Sequence, residues 1–333
     1  MKTKIAIIGI GGGVAGWGHY DVYKNIDDID IVSACDINLE AANERITGTD
    51  DKHIYAIRLY SDYDKFLKGE NPEEIDYVDI CTPTYLHKEF TIKALESGFN
   101  VLCEKPMGLS KAETDEILEV AKRTGKFYMV AQVVRFHEVF RYLKDAVDSK
   151  KHGKLLRLDM KRISSIPQKE WFHDEKRSGL VGLDMMLHDV DFVQYCFGMP
   201  KDIMGVNYDV KNRNNYLAVT YLYDGFTVSV ESGWYNTKMP FRQEFIAVFE
   251  DGYMIFRDGV LNENGEDVVF EHDNKTQDHD IGIPINTDNP YAIQFQYFAN
   301  CIKSGKKPEV ASPESTAASV TLIEMTKEKA LKI

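Results

Sequence analysis

Along residues 1–131, short apolar runs alternate with segments in which apolar residues recur every three or four positions. Two such amphipathic segments, Tyr85–Ser97 and Ser110–Thr124, are each followed by a glycine that favours the end of a helix. The alternation is typical of a parallel sheet with crossover helices, and it predicts a doubly wound, Rossmann-type α/β domain over residues 1–131. The predicted strands are Lys4–Ile8, Ile29–Cys35, Tyr77–Thr82, Asn100–Glu104 and Phe127–Ala131.

The pattern changes after Gln132. A helical segment, Phe136–Ser149, precedes longer runs in which apolar and polar residues alternate, and Asp-Gly turns separate several of these runs. The mostly polar stretch Asn262–Thr287 predicts a surface loop. We expect a second, α+β domain over residues 132–333 with an open, mostly antiparallel sheet. Its predicted strands are Leu155–Ile163, Tyr216–Tyr223, Phe226–Gly233 and Phe245–Phe249, and its last helices are Tyr291–Lys303 and Pro313–Leu331.

Composition narrows the function. A chain of 333 residues with 44% hydrophobic residues is long enough to build two cores. The net charge of −13 argues against nucleic acid as a partner. The run Ile5–Ile8 is too short for a secretion signal, and no stretch approaches the roughly 20 apolar residues that cross a bilayer. We therefore expect a cytoplasmic protein with no membrane partner.

Cysteine usage predicts buried thiols. The five cysteines are widely spaced and contain no Cys-x-x-Cys pair, which argues against a disulfide framework or a zinc site. No metal site is predicted.

A glycine-rich segment follows the first strand. Gly11-Gly12-Gly13-Val14-Ala15-Gly16 fits G-x-G-x-x-G, in which glycines let the backbone approach a pyrophosphate. An alternative register begins at Gly9, and a glycine-rich turn without a ligand is the competing interpretation. Asp36 ends the second strand, 20 residues past Gly16, where a carboxylate accepts hydrogen bonds from the adenosine ribose. Its charge would repel a 2′-phosphate, so the sequence favours NAD over NADP without excluding NADP.

Four further segments, taken with this loop, resemble the Gfo/Idh/MocA oxidoreductase family, which includes glucose-fructose oxidoreductase and inositol 2-dehydrogenases. They occur in family order and spacing, so the resemblance spans nearly the whole chain. The segments are Cys81-Thr82-Pro83-Thr84-Tyr85-Leu86-His87, Glu104-Lys105-Pro106, Arg135-Phe136 and the run from Gly182 to Asp191.

The resemblance implies roles for the residues of these segments. Lys105 would contact the reacting oxygen. The Lys105-Pro106 peptide bond would be cis, a conformation that costs little free energy only before proline. Glu104, Thr82, Pro83 and, more loosely, His87 would contact the cofactor.

The run Asp184-x-x-x-His188-x-x-Asp191 places three polar side chains on one helical face. The resemblance implies that His188 is the general base and that Asp184 binds substrate, while a carboxylate such as Asp191 orients the imidazole. A solvated helix face and a metal site are the alternatives. Trp171 and Trp234 or Tyr235 are candidate pocket walls. Many relatives have a small residue at the position of Met186, and Met185 follows Asp184; the bulk of these side chains argues against a plain cyclic polyol as the substrate.

The predicted activity is hydride transfer between NAD and a secondary alcohol of a sugar, cyclitol or related small molecule. Two alternatives remain: a glycosidase of the same fold that oxidises its substrate transiently, and a sensor that binds dinucleotide or sugar without turnover. We also expect a homodimer or homotetramer, because an open sheet would otherwise leave one face in water.

Overall fold

The computed structural model describes residues 2–12, 19–47, 57–209, 215–270, 277–279, 283–285 and 289–332. The chain divides into two compact units, which are described separately. The first comprises Met1–Gly108, Ala112–Val133 and Asp273–Glu314, and the second comprises Leu109–Lys111, Val134–His272 and Ser315–Ile333. By contacts, the segment 273–314 therefore belongs with the first unit, although the sequence analysis assigned it to the second domain.

The first part of the chain alternates strand and helix. The helices are α1 (Tyr20–Tyr23), α2 (Leu39–Thr47), α3 (Tyr63–Gly69), α4 (His87–Glu96) and α5 (Lys111–Thr124). The strands are β1 (Thr3–Ile8), β2 (Ile29–Cys35), β3 (Arg58–Tyr60), β4 (Tyr77–Ile80), β5 (Val101–Glu104) and β6 (Tyr128–Ala131).

The rest of the chain carries the longer strands and the last helices. The helices are α6 (Glu138–Ser149), α7 (Glu175–Ser178), α8 (Leu187–Phe197), α9 (Pro290–Ser304) and α10 (Pro313–Lys329). The strands are β7 (Leu155–Ser165), β8 (Asp202–Asp209), β9 (Asn215–Leu222), β10 (Thr227–Tyr235), β11 (Arg242–Phe249), β12 (Tyr253–Arg257), β13 (Val260–Glu263), β14 (Glu266–Asp267), β15 (Gln277–His279), β16 (Ile283–Ile285) and β17 (Leu331–Lys332).

The six strands β1 to β6 form one fully parallel sheet in the order β3-β2-β1-β4-β5-β6. This is the doubly wound arrangement that the sequence predicts. Every residue of β4, β5 and β6 is buried, as expected for strands that are covered on both faces. The apolar pattern does not predict β3, because this strand has only three residues and one of them is exposed.

Nine strands form the sheet of the second unit, in the order β14-β13-β12-β11-β7-β10-β9-β8-β17. Most pairs are antiparallel, as predicted, while β10 pairs with β7 and β17 with β8 in parallel. Alternate residues along β9 and β10 are buried. The buried side, called here the inner face, is the one that α8 and α10 cover: Arg162 of β7 pairs with Asp189 of α8, and Tyr221 of β9 bonds Thr326 of α10.

Part of the predicted loop Asn262–Thr287 is ordered as strand. Residues 260–267 form the hairpin β13-β14, and β15 pairs with β16. These strands of two to four residues escape detection because hydrogen bonds to neighbouring strands, rather than an apolar pattern, define them.

Four of the five cysteines are buried, and Cys196 is partly exposed. All five are free thiols, as predicted. Among the described residues, no helix combines the length and the apolar character that crossing a membrane requires.

Candidate active site

The carboxyl ends of β1, β2 and β4 in the first unit lie side by side. The N–H of Gly9 donates to the carbonyl of Cys35 at 2.8 Å, and that of Cys81 donates to the carbonyl of Ile8 at 2.8 Å. Gly9 has φ +92°, and a Cβ there would lie 2.9 Å from the Cys81 carbonyl oxygen. The position therefore requires glycine, both for its backbone conformation and for the close approach of the two strand ends.

Asp36 lies at the same edge of the sheet. Its carboxylate accepts hydrogen bonds from the N–H groups of Gly11, at 2.7 Å, and Asn38, at 2.8 Å. A Cβ on Gly11 would lie 3.1 Å from this carboxylate, so the glycine allows the two segments to touch. Each carboxylate oxygen keeps lone pairs for a diol. The remaining predicted loop residues, Gly13, Val14, Ala15 and Gly16, lie outside the described residues.

His87 links two of the predicted segments through their backbones. Its ring nitrogens lie 2.8 Å from the carbonyl oxygen of Thr82 and 2.7 Å from that of Pro106, and the side chain is buried. Burial lowers the pKa of His87 despite these two carbonyls. Each ring nitrogen faces a backbone carbonyl, and the neutral ring donates its single N–H to one of them, so His87 braces the segments rather than offering a free donor. The hydroxyl of Thr82 is buried without a partner among the described residues, and a bound group could satisfy it.

Lys105 follows β5 directly, and the Lys105-Pro106 bond is cis, as predicted. Glu104 does not present an open carboxylate to a cofactor. It is 5% exposed, and its oxygens accept hydrogen bonds from the backbone N–H of Lys105, at 2.9 Å, and from the ring of His19, at 2.7 Å. These internal bonds hold the Lys105 backbone, and the contact of Glu104 with the cofactor stays a prediction.

His19, which the sequence analysis did not single out, also meets Asp79 and Cys81. These three residues are the only group within the described residues that offers three metal-ligating side chains together. The ring Nδ1 lies 2.7 Å from an Asp79 oxygen, which is the length of a charge-assisted hydrogen bond. The arrangement is therefore explained as a hydrogen-bonded cluster, and the expectation of no metal site stays a prediction.

In the second unit, Asp184 lies on a helical turn and His188 at the start of the helix that follows it. Residues Gly182–Met186 form one turn of π-helix, which continues directly into α8. Asp184 and His188 are partly exposed, whereas their neighbours on both sides are buried. Single π-turns inside helices occur frequently at functional sites, and no sequence pattern used above identifies one. Met185 and Met186 are 7% and 0% exposed, so both pack into the interior of this unit.

Asp191 lies in a different environment from Asp184 and His188. Its side chain is fully buried, and its carboxylate accepts two bonds of 2.7 Å from Arg135 and one of 2.8 Å from Ser319. Asp189 is held similarly by Arg162. These paired charges anchor α8, so the described bonds of Asp191 give it a structural role instead of the predicted role in orienting His188 or binding substrate.

The aromatic candidates separate onto two faces of the large sheet. Trp171 stacks on Phe172, which meets the buried Trp234 edge-on at 5.9 Å. Successive residues of a strand point to opposite faces, so Tyr235 lies on the outer face with Glu231 while Trp234 is on the inner face. Of the two residues considered, Trp234 is the one on the side of α8, and the choice of Tyr235 as a pocket wall is not supported by its position.

Comparisons with known proteins place these observations in a family. Residues 3–132 match the profile described as "Oxidoreductase family, NAD-binding Rossmann fold", and residues 140–255 match the GFO/IDH/MocA C-terminal domain. The chain belongs to the Gfo/Idh/MocA oxidoreductase family. The resemblance drawn from the motifs and the NAD cofactor are therefore confirmed.

Individual relatives share about a quarter to a third of the aligned residues with this chain. The chain is 35% identical over 135 residues to the 2,7-anhydro-N-acetylneuraminate hydratase of Mediterraneibacter gnavus, a match that spans 39% of this chain and 36% of that protein. It is 28% identical over 262 residues to the scyllo-inositol 2-dehydrogenase (NAD(+)) of Bacillus subtilis, covering 73% and 72%. The crystal structure of myo-inositol 2-dehydrogenase from Lactobacillus plantarum has the same fold, with a TM-score of 0.78, 23% identity and coverage of 99% and 97%.

Proposed function

We propose that this member of the family is an NAD-dependent dehydrogenase that acts on a secondary alcohol of a sugar, cyclitol or related small molecule. The observation that carries the proposal is that the backbone around Lys105 is held in place. The Glu104 carboxylate accepts a hydrogen bond from the Lys105 N–H, and the His87 ring contacts the carbonyl of Pro106. A group that must meet a reacting oxygen works best when its support is rigid.

The first unit supplies a cradle that fits the dinucleotide. Gly9 and Gly11 leave no room for a side chain, the Asp36 carboxylate retains lone pairs, and the Thr82 hydroxyl lacks a partner among the described residues. Gly9, Gly11, Asp36, Thr82 and Pro83 would therefore hold the cofactor together with the loop residues predicted from sequence. When bound, NAD supplies the hydride acceptor.

The remaining chemistry belongs to side chains. The Lys105 ammonium donates a hydrogen bond to the substrate oxygen and stabilises negative charge as it develops there. His188 takes the hydroxyl proton, and Asp184 accepts a hydrogen bond from a substrate hydroxyl. Asp184 and His188 are partly exposed in an otherwise buried segment, Gly182–Val190, which supports this division of roles.

A second candidate activity is favoured by the relative named a hydratase. The same groups would serve a reaction in which the substrate is oxidised transiently, a group leaves or adds, and the substrate is reduced again. Net NADH separates the two activities: a dehydrogenase accumulates NADH in step with product, whereas the second chemistry returns the cofactor unchanged. The sensor hypothesis predicts dinucleotide binding without product.

The test is a panel of sugars, inositols and sugar nucleotides, assayed for both product and NADH. With the substrate found, Lys105→Ala and His188→Ala are expected to lower kcat about 10²- to 10⁴-fold with little change in NAD affinity. Lys88→Ala and His152→Ala, which remove a lysine and a histidine paired with acids elsewhere, serve as matched controls. Near-normal kcat in either site variant would refute the assignment, and NAD binding without any product would favour the sensor.

We also propose that the enzyme is a cytoplasmic homodimer or homotetramer. The outer face of the nine-stranded sheet carries Ile246 and Val248 beside ion pairs such as Lys161 with Glu231. The described contacts of α8 and α10 lie on the inner face. A second copy would remove these aliphatic groups from water. Light scattering that gives a monomer mass at micromolar concentration would contradict the proposal.

A further inference from the structure

A buried ionic cluster lies directly behind Lys105 in the first unit. The ring of His19 is fully buried, with Nδ1 2.7 Å from Oδ2 of Asp79 and Nε2 2.7 Å from Oε1 of Glu104. Asp79 has no exposed surface, and Glu104 is 5% exposed. Neither His19 nor Asp79 belongs to the motifs that define the proposed site.

The geometry determines the protonation state of His19. A neutral imidazole has a single N–H, so one of its nitrogens would present a lone pair to a carboxylate. Only the imidazolium donates to Asp79 and Glu104 together. Burial alone would lower the pKa of His19, but the charge and hydrogen bond of Asp79 outweigh it and raise the pKa well above its usual range. Burial would raise the pKa of Glu104, but the His19 bond lowers it below its usual range.

The other groups around the ring do not compete for its protons as strong bases. Cys81 Sγ lies 3.2 Å from Nδ1, and burial raises the pKa of this thiol, which favours its neutral form. The rings of Tyr23, Tyr291 and Phe295 meet the imidazole edge-on, with centroids 6.3, 5.8 and 4.7 Å away. The aromatic enclosure accounts for the absence of exposed surface on the ring.

Glu104 connects this cluster to the next residue. While one of its oxygens accepts from His19, the other accepts from the backbone N–H of Lys105 at 2.9 Å. Because both of its oxygens accept hydrogen bonds, the Glu104 carboxylate is held in one orientation between His19 and the Lys105 amide. Removing the imidazolium would leave two buried carboxylates without their shared cation, so Glu104 would turn or take up a proton.

We propose that His19, as a buried imidazolium between Asp79 and Glu104, is a positioning residue that holds the Lys105 backbone through Glu104. The functional consequence rests on the role proposed above for Lys105. The structural part, a doubly protonated ring that fixes the Lys105 amide, does not depend on that role.

Two measurements test the structural part without turnover. Nitrogen-15 NMR of histidine-labelled protein, with His19→Gln identifying the signals, is expected to give a proton on both ring nitrogens of His19 at pH 7.5. Hydrogen exchange at the Lys105 amide is expected to be about 10- to 100-fold faster in His19→Gln, because a bond to a charged group is lost. The same substitution at the carboxylate-paired His152 should leave this amide unchanged.

The functional part is tested by a double-variant cycle. His19→Gln alone is expected to lower kcat at least tenfold with KM and NAD affinity within about twofold, since it acts through Lys105 and not through binding. In a Lys105→Ala background the same change should have almost no further effect on kcat, because coupled residues are not additive. Equal losses in both backgrounds would overturn the proposed coupling.

The outcomes separate this inference from the proposed function. A ring nitrogen of His19 without a proton, or unchanged exchange at Lys105, would overturn the inference even if Lys105→Ala abolishes turnover. Normal kcat in Lys105→Ala would overturn the proposed function while both structural measurements still stand. If His19→Gln does not fold, the isosteric Glu104→Gln replaces it, with the same faster exchange expected at Lys105 and unchanged exchange refuting the link.

Discussion

Replacing Asp191 with asparagine tests whether this residue anchors α8 or serves the substrate site. The substitution keeps the shape of the side chain and removes its charge. Arg135 would then be a buried guanidinium without its counter-ion, because neither side chain of this pair has exposed surface. The two bonds of 2.7 Å to Arg135 and the bond of 2.8 Å from Ser319 would all weaken.

Breaking a buried ion pair by removing one partner costs about 3–5 kcal/mol. We expect Asp191→Asn to lower the free energy of unfolding by that amount, or roughly 1–2 M in the urea midpoint for a slope near 3 kcal/mol/M. Two of the three tryptophans, Trp171 and Trp234, report on the second unit, so fluorescence during urea unfolding is a suitable assay.

An exposed pair supplies the control. Nε of Arg157 donates to both carboxylate oxygens of Asp159, at 2.9 and 2.7 Å, but these two side chains are 58% and 34% exposed. Asp159→Asn should therefore cost less than about 1 kcal/mol. The double variant Arg135→Met with Asp191→Leu should recover most of the stability, since it removes both charges. The structural role is refuted if Asp191→Asn is no more destabilising than Asp159→Asn, or if it abolishes kcat/KM while stability is intact.

Three further predictions concern the cofactor, pH and backbone. Asp36→Ala should reduce the preference for NAD over NADP, measured by titration of both cofactors; equal affinities in the wild type would contradict the role of this carboxylate. The pKa of Glu263 is lowered from 4.5 to about 2, since the bond from His152 and neighbouring donors outweigh partial burial, which raises it. Its contribution, at most about 3 kcal/mol, is therefore present above pH 4.5 and lost as pH falls towards 2. Urea unfolding of Glu263→Gln should lack this part of the acid dependence, and an unchanged pH profile would contradict it. Gly9→Ala should cost about 1–3 kcal/mol and more than Gly225→Ala, which has a similar φ but open space around it; equal costs in thermal unfolding would show that the close contact is unimportant.

The sequence alone determined the two main layers of this protein, a parallel Rossmann-type sheet followed by a mostly antiparallel sheet. Parallel strands such as Ile29–Cys35, whose predicted and observed limits coincide, produce mostly apolar runs, and the helices between them produce an amphipathic period. Both patterns depend only on residues that are close together along the chain, so they can be recognised without knowledge of the fold. The short motifs around Lys105 and His188 likewise identified the family, because they are defined by residue type and spacing, which are read directly from the sequence.

Tertiary structure decided what each candidate side chain does. From spacing alone, Asp191 is expected near His188, but its carboxylate is buried and bonded to Arg135 and Ser319. Trp234 and Tyr235 are equivalent candidates in sequence, and only the fold shows that they lie on opposite faces of the sheet. His19 gave no signal, since its partners are 60 and 85 residues away along the chain. The physical reason is that the protonation and function of a polar group depend on the charges and solvent that surround it, and these are brought together only when distant strands pack side by side.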